Sequence, residues 1–221
     1  EIYTAETLFP YTTLFPIFRN ADKKEYSVED EKNLTLLGFM AFLDPPKDTS
    51  KEAIAKFHKY NVDVKVLTGD NEIITRKICK QVNLKADSLL LGSDLDKLSD
   101  EELQVKAENT TIFAKLSPMH KERIIRALQK KGHVVGFMGD GINDAPALKV
   151  ADVGISVNTA VDIAKESSDM ILLENSLLVL EEAMLEGRRI FGNIVKYIKM
   201  TSSSNFGNMF SVIGASIFVP F

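Results

Sequence analysis

Cysteine is almost missing from this chain of 221 residues: Cys79 stands alone. That excludes an internal disulfide framework and fits a reducing compartment. The thiol reads as a small hydrophobe on a helix face, beside Ile78 and Val82. Histidine is scarce too. His58, His120 and His133 share no ligand spacing, so none is assigned to a metal. Charge of one sign is not in excess: a net charge of −4 gives no reason to expect nucleic acid as a partner. No basic region leads into an apolar core at the N-terminus, which argues against a secretory signal. What remains, 45% apolar and 26% charged residues, suits one large globular domain or two small ones.

Residues 1–20 differ from the rest. Thr7-Leu8-Phe9-Pro10 recurs as Thr13-Leu14-Phe15-Pro16, and the prolines are expected to break any helical or strand period there. This stretch reads as a junction or cloning scar, and 1–33 as a linker. From Leu34 onward strand and helix alternate. The expected strands are Leu34–Leu43, Val62–Leu67, Thr111–Leu116, His133–Met138, Val153–Val157 and Met170–Leu173. A helix with a Thr49–Glu52 capping box, a second carrying Ile74, Ile78 and Val82, and a third opened by Ser117-Pro118 and stopped at Gly132 lie between them. Ser88–Gln104 reads as a polar insertion with one short helix. Such alternation predicts an α/β fold with a parallel sheet covered on both faces, the Asp44, Thr68 and Asp140 turns sharing one edge.

Leu177–Lys199 reads as one long charged helix. From Met200 to Phe221 no residue is charged, and Arg188, Arg189, Lys196 and Lys199 precede that run. A span of the bilayer needs about 20 apolar residues, so 200–221 reads as a truncated transmembrane helix with the preceding domain cytoplasmic. The bland alternative is a buried apolar C-terminal helix.

The chemistry concentrates in Gly136-Phe137-Met138-Gly139-Asp140-Gly141-Ile142-Asn143-Asp144-Ala145-Pro146. Two glycines around a carboxylate allow a sharp turn close to a ligand. Asn143 or Asp144 can cap a helix with Pro146 in its first turn. Asp140 and Asp144 supply the hard oxygens that Mg²⁺ prefers. Thr68 and Gly69 offer a hydroxyl and amides at a helix N-terminus, suited to an anion. Lys121 can reach the same edge and offset charge. Alone, each piece is a tight turn, a helix cap or a surface lysine. Together, on consecutive strand ends, they read as a metal and phosphate site. Asp94-Leu95-Asp96 imitates a nucleophile motif but lacks a threonine two residues on, and reads as a capped surface helix start.

Asp44-Pro45-Pro46-Lys47, Thr68-Gly69-Asp70-Asn71, Lys121 after Ser117-Pro118, and Met138–Leu148, in that order, resemble the phosphorylation domain of a P-type ATPase. Tyr197–Asn208 is similar to the stalk and start of the fifth transmembrane helix, in wording closest to bacterial magnesium-transporting members. The resemblance implies a haloacid-dehalogenase-like Rossmannoid fold, its C-terminal part over 34–175, a stalk helix over 176–199, and the membrane helix beyond. It implies Asp140 as ligand of a catalytic Mg²⁺, supported by Asn143 and Asp144. Thr68 and Gly69 would bind the phosphoryl group, Lys121 would stabilise it, and Asp70 with the Asp44 and Lys47 turn would lie near ATP. Asn205 and Asn208 match positions that help coordinate the transported cation, Mg²⁺ by resemblance; helix–helix hydrogen bonding is their alternative role. The implied setting is a bacterial plasma membrane. The family's Asp-Lys-Thr-Gly-Thr nucleophile string is absent here. The chain is therefore expected to be a pump fragment, inactive alone and needing the rest of the pump. The alternatives are a phosphatase of the same fold and a non-catalytic metal- or nucleotide-binding membrane-associated module.

Overall fold

The computed structural model describes residues 12–14, 17–18, 35–36, 40–42, 46–174 and 176–218. It forms two compact units, one up to Ser176 and one from Leu177.

The first unit opens with two small antiparallel pairings. Strand β1 (Thr12–Leu14) pairs with β4 (Met40–Phe42), and β2 (Ile17–Phe18) with β3 (Thr35–Leu36). Two points of the sequence reading change here. The segment before residue 20 does carry strand: β1 ends at Leu14 and β2 begins at Ile17, each paired in a different small sheet. The strand before the Asp44 turn belongs to one of these small sheets rather than to the parallel one.

Helix α1 (Asp48–Lys59) follows, with Lys47 at its N-cap position and no side-chain bond capping it. The expected Thr49–Glu52 box does not form, because the helix begins two residues earlier and Thr49 is already inside it. Then come β5 (Val66–Leu67), α2 (Glu72–Gln81), β6 (Leu89–Leu91), α3 (Gly92–Leu95), α4 (Asp100–Asn109) and β7 (Ile112–Ala114). After them lie α5 (Pro118–Lys130), β8 (Gly136–Met138), α6 (Ala145–Val150), β9 (Val153–Val157), α7 (Asp162–Glu166) and β10 (Met170–Leu172). Strand β6 was hidden inside the polar insertion, since three half-buried leucines have no alternating pattern. The rest of that insertion holds two helices rather than one. Asp94 caps the start of α3, its Oδ2 accepting the Leu91 amide at 3.2 Å, as its surface-helix reading required.

The parallel strands form two sheets of three, in the orders β5-β7-β6 and β10-β9-β8. A single sheet was expected; among the described residues no strand joins β5 to β8. Both faces of the first sheet are covered, and strand alternation decides how. Phe113 points into a cluster with Leu103, Ile124 and Leu128 from α4 and α5. Its neighbour Ile112 points the other way, to Ile54, Cys79 and Val82 from α1 and α2. Burying each such large side chain contributes about 1.5–3 kcal/mol. Cys79 is 1% exposed, and burial pushes its thiol pKa up, so it is core and not a reactive group.

The second unit is one helix, α8 (Leu177–Phe218), of 42 residues. The stalk and the helix expected beyond it are one continuous element. Among the described residues no helix is long and apolar enough to cross a membrane. The uncharged run is diluted by Thr201, the serines 202–204, Asn205 and Asn208.

Candidate functional site

Strand β5 stops at Thr68 because the threonine hydroxyl folds back on its own chain. Its Oγ1 donates to Asp70 Oδ2 at 2.9 Å and accepts the Asp70 amide at 3.0 Å. Asn71 Oδ1 then accepts the Ile73 amide at 2.7 Å and starts α2. Among the described residues the Gly69 amide has no acceptor, which leaves a donor at the helix start for an anion. The turn is fastened to the end of β7. Thr68 N donates to Phe113 O (3.0 Å), Lys115 N to Asp70 O (2.9 Å) and Leu116 N to Thr68 O (3.0 Å).

From Leu116 the chain enters α5 through Ser117, whose hydroxyl accepts the His120 amide at 3.3 Å while its amide donates to His120 Nδ1 at 3.2 Å. One residue on, Lys121 Nζ donates to Asp144 Oδ1 at 2.6 Å, both side chains being nearly buried. Asp144 Oδ2 accepts the Gly141 amide at 3.1 Å. This pair rests on Gly139. A Cβ there would come 2.5 Å from Asp144 Cβ, so only glycine lets the strand end pass so close. The residues between, Ile142–Asp144, form a single 3₁₀ turn, and Pro146 lies in the first turn of α6 as expected.

The two aspartates therefore do different work. Asp144 is 8% exposed, with both oxygens engaged by protein donors. Asp140 is exposed, and among the described residues its carboxylate has no protein partner; its carbonyl accepts the Val161 amide at 3.1 Å. Among the described residues no three His, Cys, Asp or Glu side chains gather into a metal cluster. The donor set fits a Mg²⁺ that takes one or two carboxylates and completes its shell with water and phosphate oxygens. Asp140 is the carboxylate open to it, and Asp144 positions Lys121.

A series of bonds through β7 and α5 thus links the Thr68–Asp70 turn to Lys121 and, through Asp144, to the turn that carries Asp140. Asn143 is exposed in the same 3₁₀ turn. Lys47 is exposed at the N-cap position of α1, and Asp44 lies outside the described residues. Asn205 and Asn208 lie in the other unit, three residues apart and so on one face of α8, both exposed. Sequence reasoning missed Val161, which tethers the Asp140 turn through a backbone amide that no side-chain pattern signals. It also missed Lys115, whose left-handed backbone (φ 53°) no motif announces.

A family model described as a hydrolase, haloacid dehalogenase-like hydrolase, matches residues 11–152. The chain is 58% identical over 201 residues to the "Magnesium-transporting ATPase, P-type 1" of Escherichia coli K12, covering 91% of this chain and 22% of that protein. It is 37% identical over 190 residues to a calcium-transporting ATPase of Bacillus subtilis, covering 85% of this chain and 21% of that one. It therefore spans about a fifth of these relatives' length. Among solved structures, a zinc-transporting PIB-type ATPase in its E2.Pi state superposes with a TM-score of 0.63 at 25% identity, over 82% of this chain and 26% of that one. Parallel strands with phosphate-suited turns at their C-terminal ends, matched by that model over more than half of the residues, make this chain a member of the haloacid dehalogenase-like hydrolase family.

Proposed function

We propose that this chain is the C-terminal part of the phosphorylation domain of an ATP-driven cation pump, with Mg²⁺ as the transported ion. The observation that carries the reading is the Lys121–Asp144 pair at 2.6 Å, set beside the open Asp140 carboxylate and bonded through β7 and α5 to the Thr68 turn. Phosphoryl transfer asks the protein mainly for positioning and charge neutralisation, and these residues can supply both.

A catalytic Mg²⁺ held by Asp140 would draw charge from the phosphoryl oxygens. The Gly69 amide donates to those oxygens, joined by the Thr68 hydroxyl once its proton turns from Asp70 Oδ2, while Lys121, oriented by Asp144, neutralises them. Asn143 extends from the Asp140 turn toward the same group. Asp70, Lys47 and Asp44 are assigned to the nucleotide by the family resemblance. The nucleophile is an aspartate of a segment outside this sequence. Its carboxylate oxygen bonds to the γ-phosphorus of ATP as the bond to ADP breaks, and water later returns the free carboxylate and inorganic phosphate. Helix α8 leads toward the lipid bilayer of a bacterial plasma membrane, the α/β unit lying on the cytoplasmic side, and Asn205 and Asn208 contribute to the cation path. The similarity to magnesium-transporting ATPases over 91% of the chain supports the choice of ion.

The test is an amide-shift titration of the 221-residue chain with inorganic phosphate, with and without Mg²⁺. Shifts at Gly69 and Gly141 that require Mg²⁺ and disappear in Asp140→Ala are expected. Absence of any Mg²⁺-dependent shift in the unaltered chain would overturn the reading.

A further inference from the structure

Lys115 follows β7 directly with φ 53°, a left-handed backbone that disfavours any residue with a Cβ. The other non-glycine residues in that region among those described are Asn61 and Asn83, just past the ends of α1 and α2. Asparagine tolerates this conformation and is common at helix ends. A lysine has no such local advantage, and glycine would sit there without strain.

Three contacts surround the strained residue. Its amide and that of Leu116 both donate into the Thr68–Asp70 turn, at 2.9 and 3.0 Å. Its carbonyl faces the backbone of Gly92, where an added Cβ would lie 2.4 Å from the oxygen. Its ammonium lies 3.0 Å from Glu72 Oε2 in the first turn of α2, a charge contact rather than a well-aligned hydrogen bond. The side chain thus reaches from the end of β7 to the helix that the phosphate-suited turn begins.

We propose that Lys115 is a positioning residue: by pairing with Glu72 it holds the left-handed turn that sets the Thr68–Asp70 loop against the β7–α5 connection bearing Lys121. Its functional meaning rests on the reading of Thr68 and Gly69 as phosphate donors. The backbone bonds fix where the loop attaches, and the side chain fixes the angle at which α2 leaves it. The lysine is then kept for its reach to Glu72 in spite of the strain it carries. Glycine at this position would relax the backbone and free α2.

Amide hydrogen exchange of the full 221-residue chain tests this without any ligand. In Lys115→Met, in Lys115→Gly and in Glu72→Gln the Asp70 and Ile73 amides should exchange about threefold faster, the size expected for a partly exposed ion pair. The Lys115→Met/Glu72→Gln double variant should add nothing further, and Lys115→Arg should restore the original rates. Ile124 and Ile125 in the core of α5 should not change. Equal rates in Lys115→Met and the unaltered chain, or failure of arginine to restore them, would overturn the proposal. A parallel titration with inorganic phosphate and Mg²⁺ should show about threefold weaker binding in the same three single variants. If the unaltered chain binds no phosphate, the phosphate reading falls, and the exchange rates still decide whether Lys115 positions the loop.

Discussion

Gly139 and Asp144 pack so closely that any side chain at 139 would displace the Asp144 carboxylate. An alanine at 139 would place its Cβ 2.5 Å from Asp144 Cβ and 2.9 Å from Oδ2, pushing the carboxylate off Lys121 and off the Gly141 amide. Gly139→Ala is expected to destabilise the chain by about 1–3 kcal/mol, read as a lower urea midpoint. Lys121→Met leaves the Asp144 carboxylate nearly buried without its cation, at an expected cost of about 3 kcal/mol. Adding Asp144→Asn to Lys121→Met should recover part of that loss, since no buried charge then remains. If the double variant is no more stable than Lys121→Met, the pair is not what holds the turn. Asp140 and Asp144 stood together in the sequence reading as metal residues. The structure separates them into an open carboxylate, Asp140, and a carboxylate that holds Lys121.

Helix starts govern the site at the next scale. Ser117 opens α5 where the sequence placed its start, and adds a reciprocal pair of bonds the sequence did not announce, the acceptor on the second leg being His120 Nδ1. His120 Nε2 in turn lies 2.9 Å from Asp96 Oδ1, so the Asp-x-Asp string that imitates a nucleophile serves to fasten α5. Arg123 continues the clasp, donating to the Leu95 and Leu98 carbonyls at 2.7 and 2.6 Å. At the start of α2 the Lys115 ammonium beside Glu72 holds its carboxyl below the usual 4.5. A carboxyl whose pKa is lowered on folding stabilises the fold fully above its unfolded value, and that contribution fades as pH falls through the lowered one. Glu72→Gln should therefore lower the urea midpoint at about pH 7 and differ little from the unaltered chain at about pH 3. A gap of the same size at both values would show that the charge is not responsible.

For the whole molecule, the sheet is the feature that composition could not foretell. Six parallel strands form two sets of three, with β5 and β8 each paired on one side only among the described residues. The Thr68 and Asp140 turns are nevertheless linked, because backbone bonds fasten the Thr68 turn to the end of β7 and the Lys121–Asp144 pair joins α5 to the Asp140 turn. On the proposed reading the site offers a metal ligand, anion donors and a cation while the Asp-Lys-Thr-Gly-Thr string is absent from this sequence, so it should bind phosphate without being phosphorylated. Incubation with radiolabelled ATP is expected to leave no acid-stable label on this chain. Label that survives acid and is lost to hydroxylamine would refute that, and would require a nucleophile within these residues.

Much of this was legible in the sequence, for a physical reason. Apolar runs ending in glycine, aspartate and threonine specify a strand and the turn that stops it through local sterics and hydrogen bonding alone, so β8, β9, α5 and the residues of the Thr68 and Asp140 turns could be read directly. Three half-buried leucines in β6 carry no period, and the merging of the two C-terminal segments into α8 depends on helix propagation across a change of composition that periodicity treats as a boundary. Which carboxylate stays open and which is sequestered depends on how near Gly139 lets Asp144 approach and on where α5 delivers Lys121. The left-handed turn at Lys115 depends likewise on Thr68, Asp70, Glu72 and Gly92 closing around it. Local chemistry along the chain determined the inventory of the site. Tertiary contacts decided the role of each, above all that of Lys121 with Asp144, 23 residues on, because burial and close approach exist only once the elements are packed side by side.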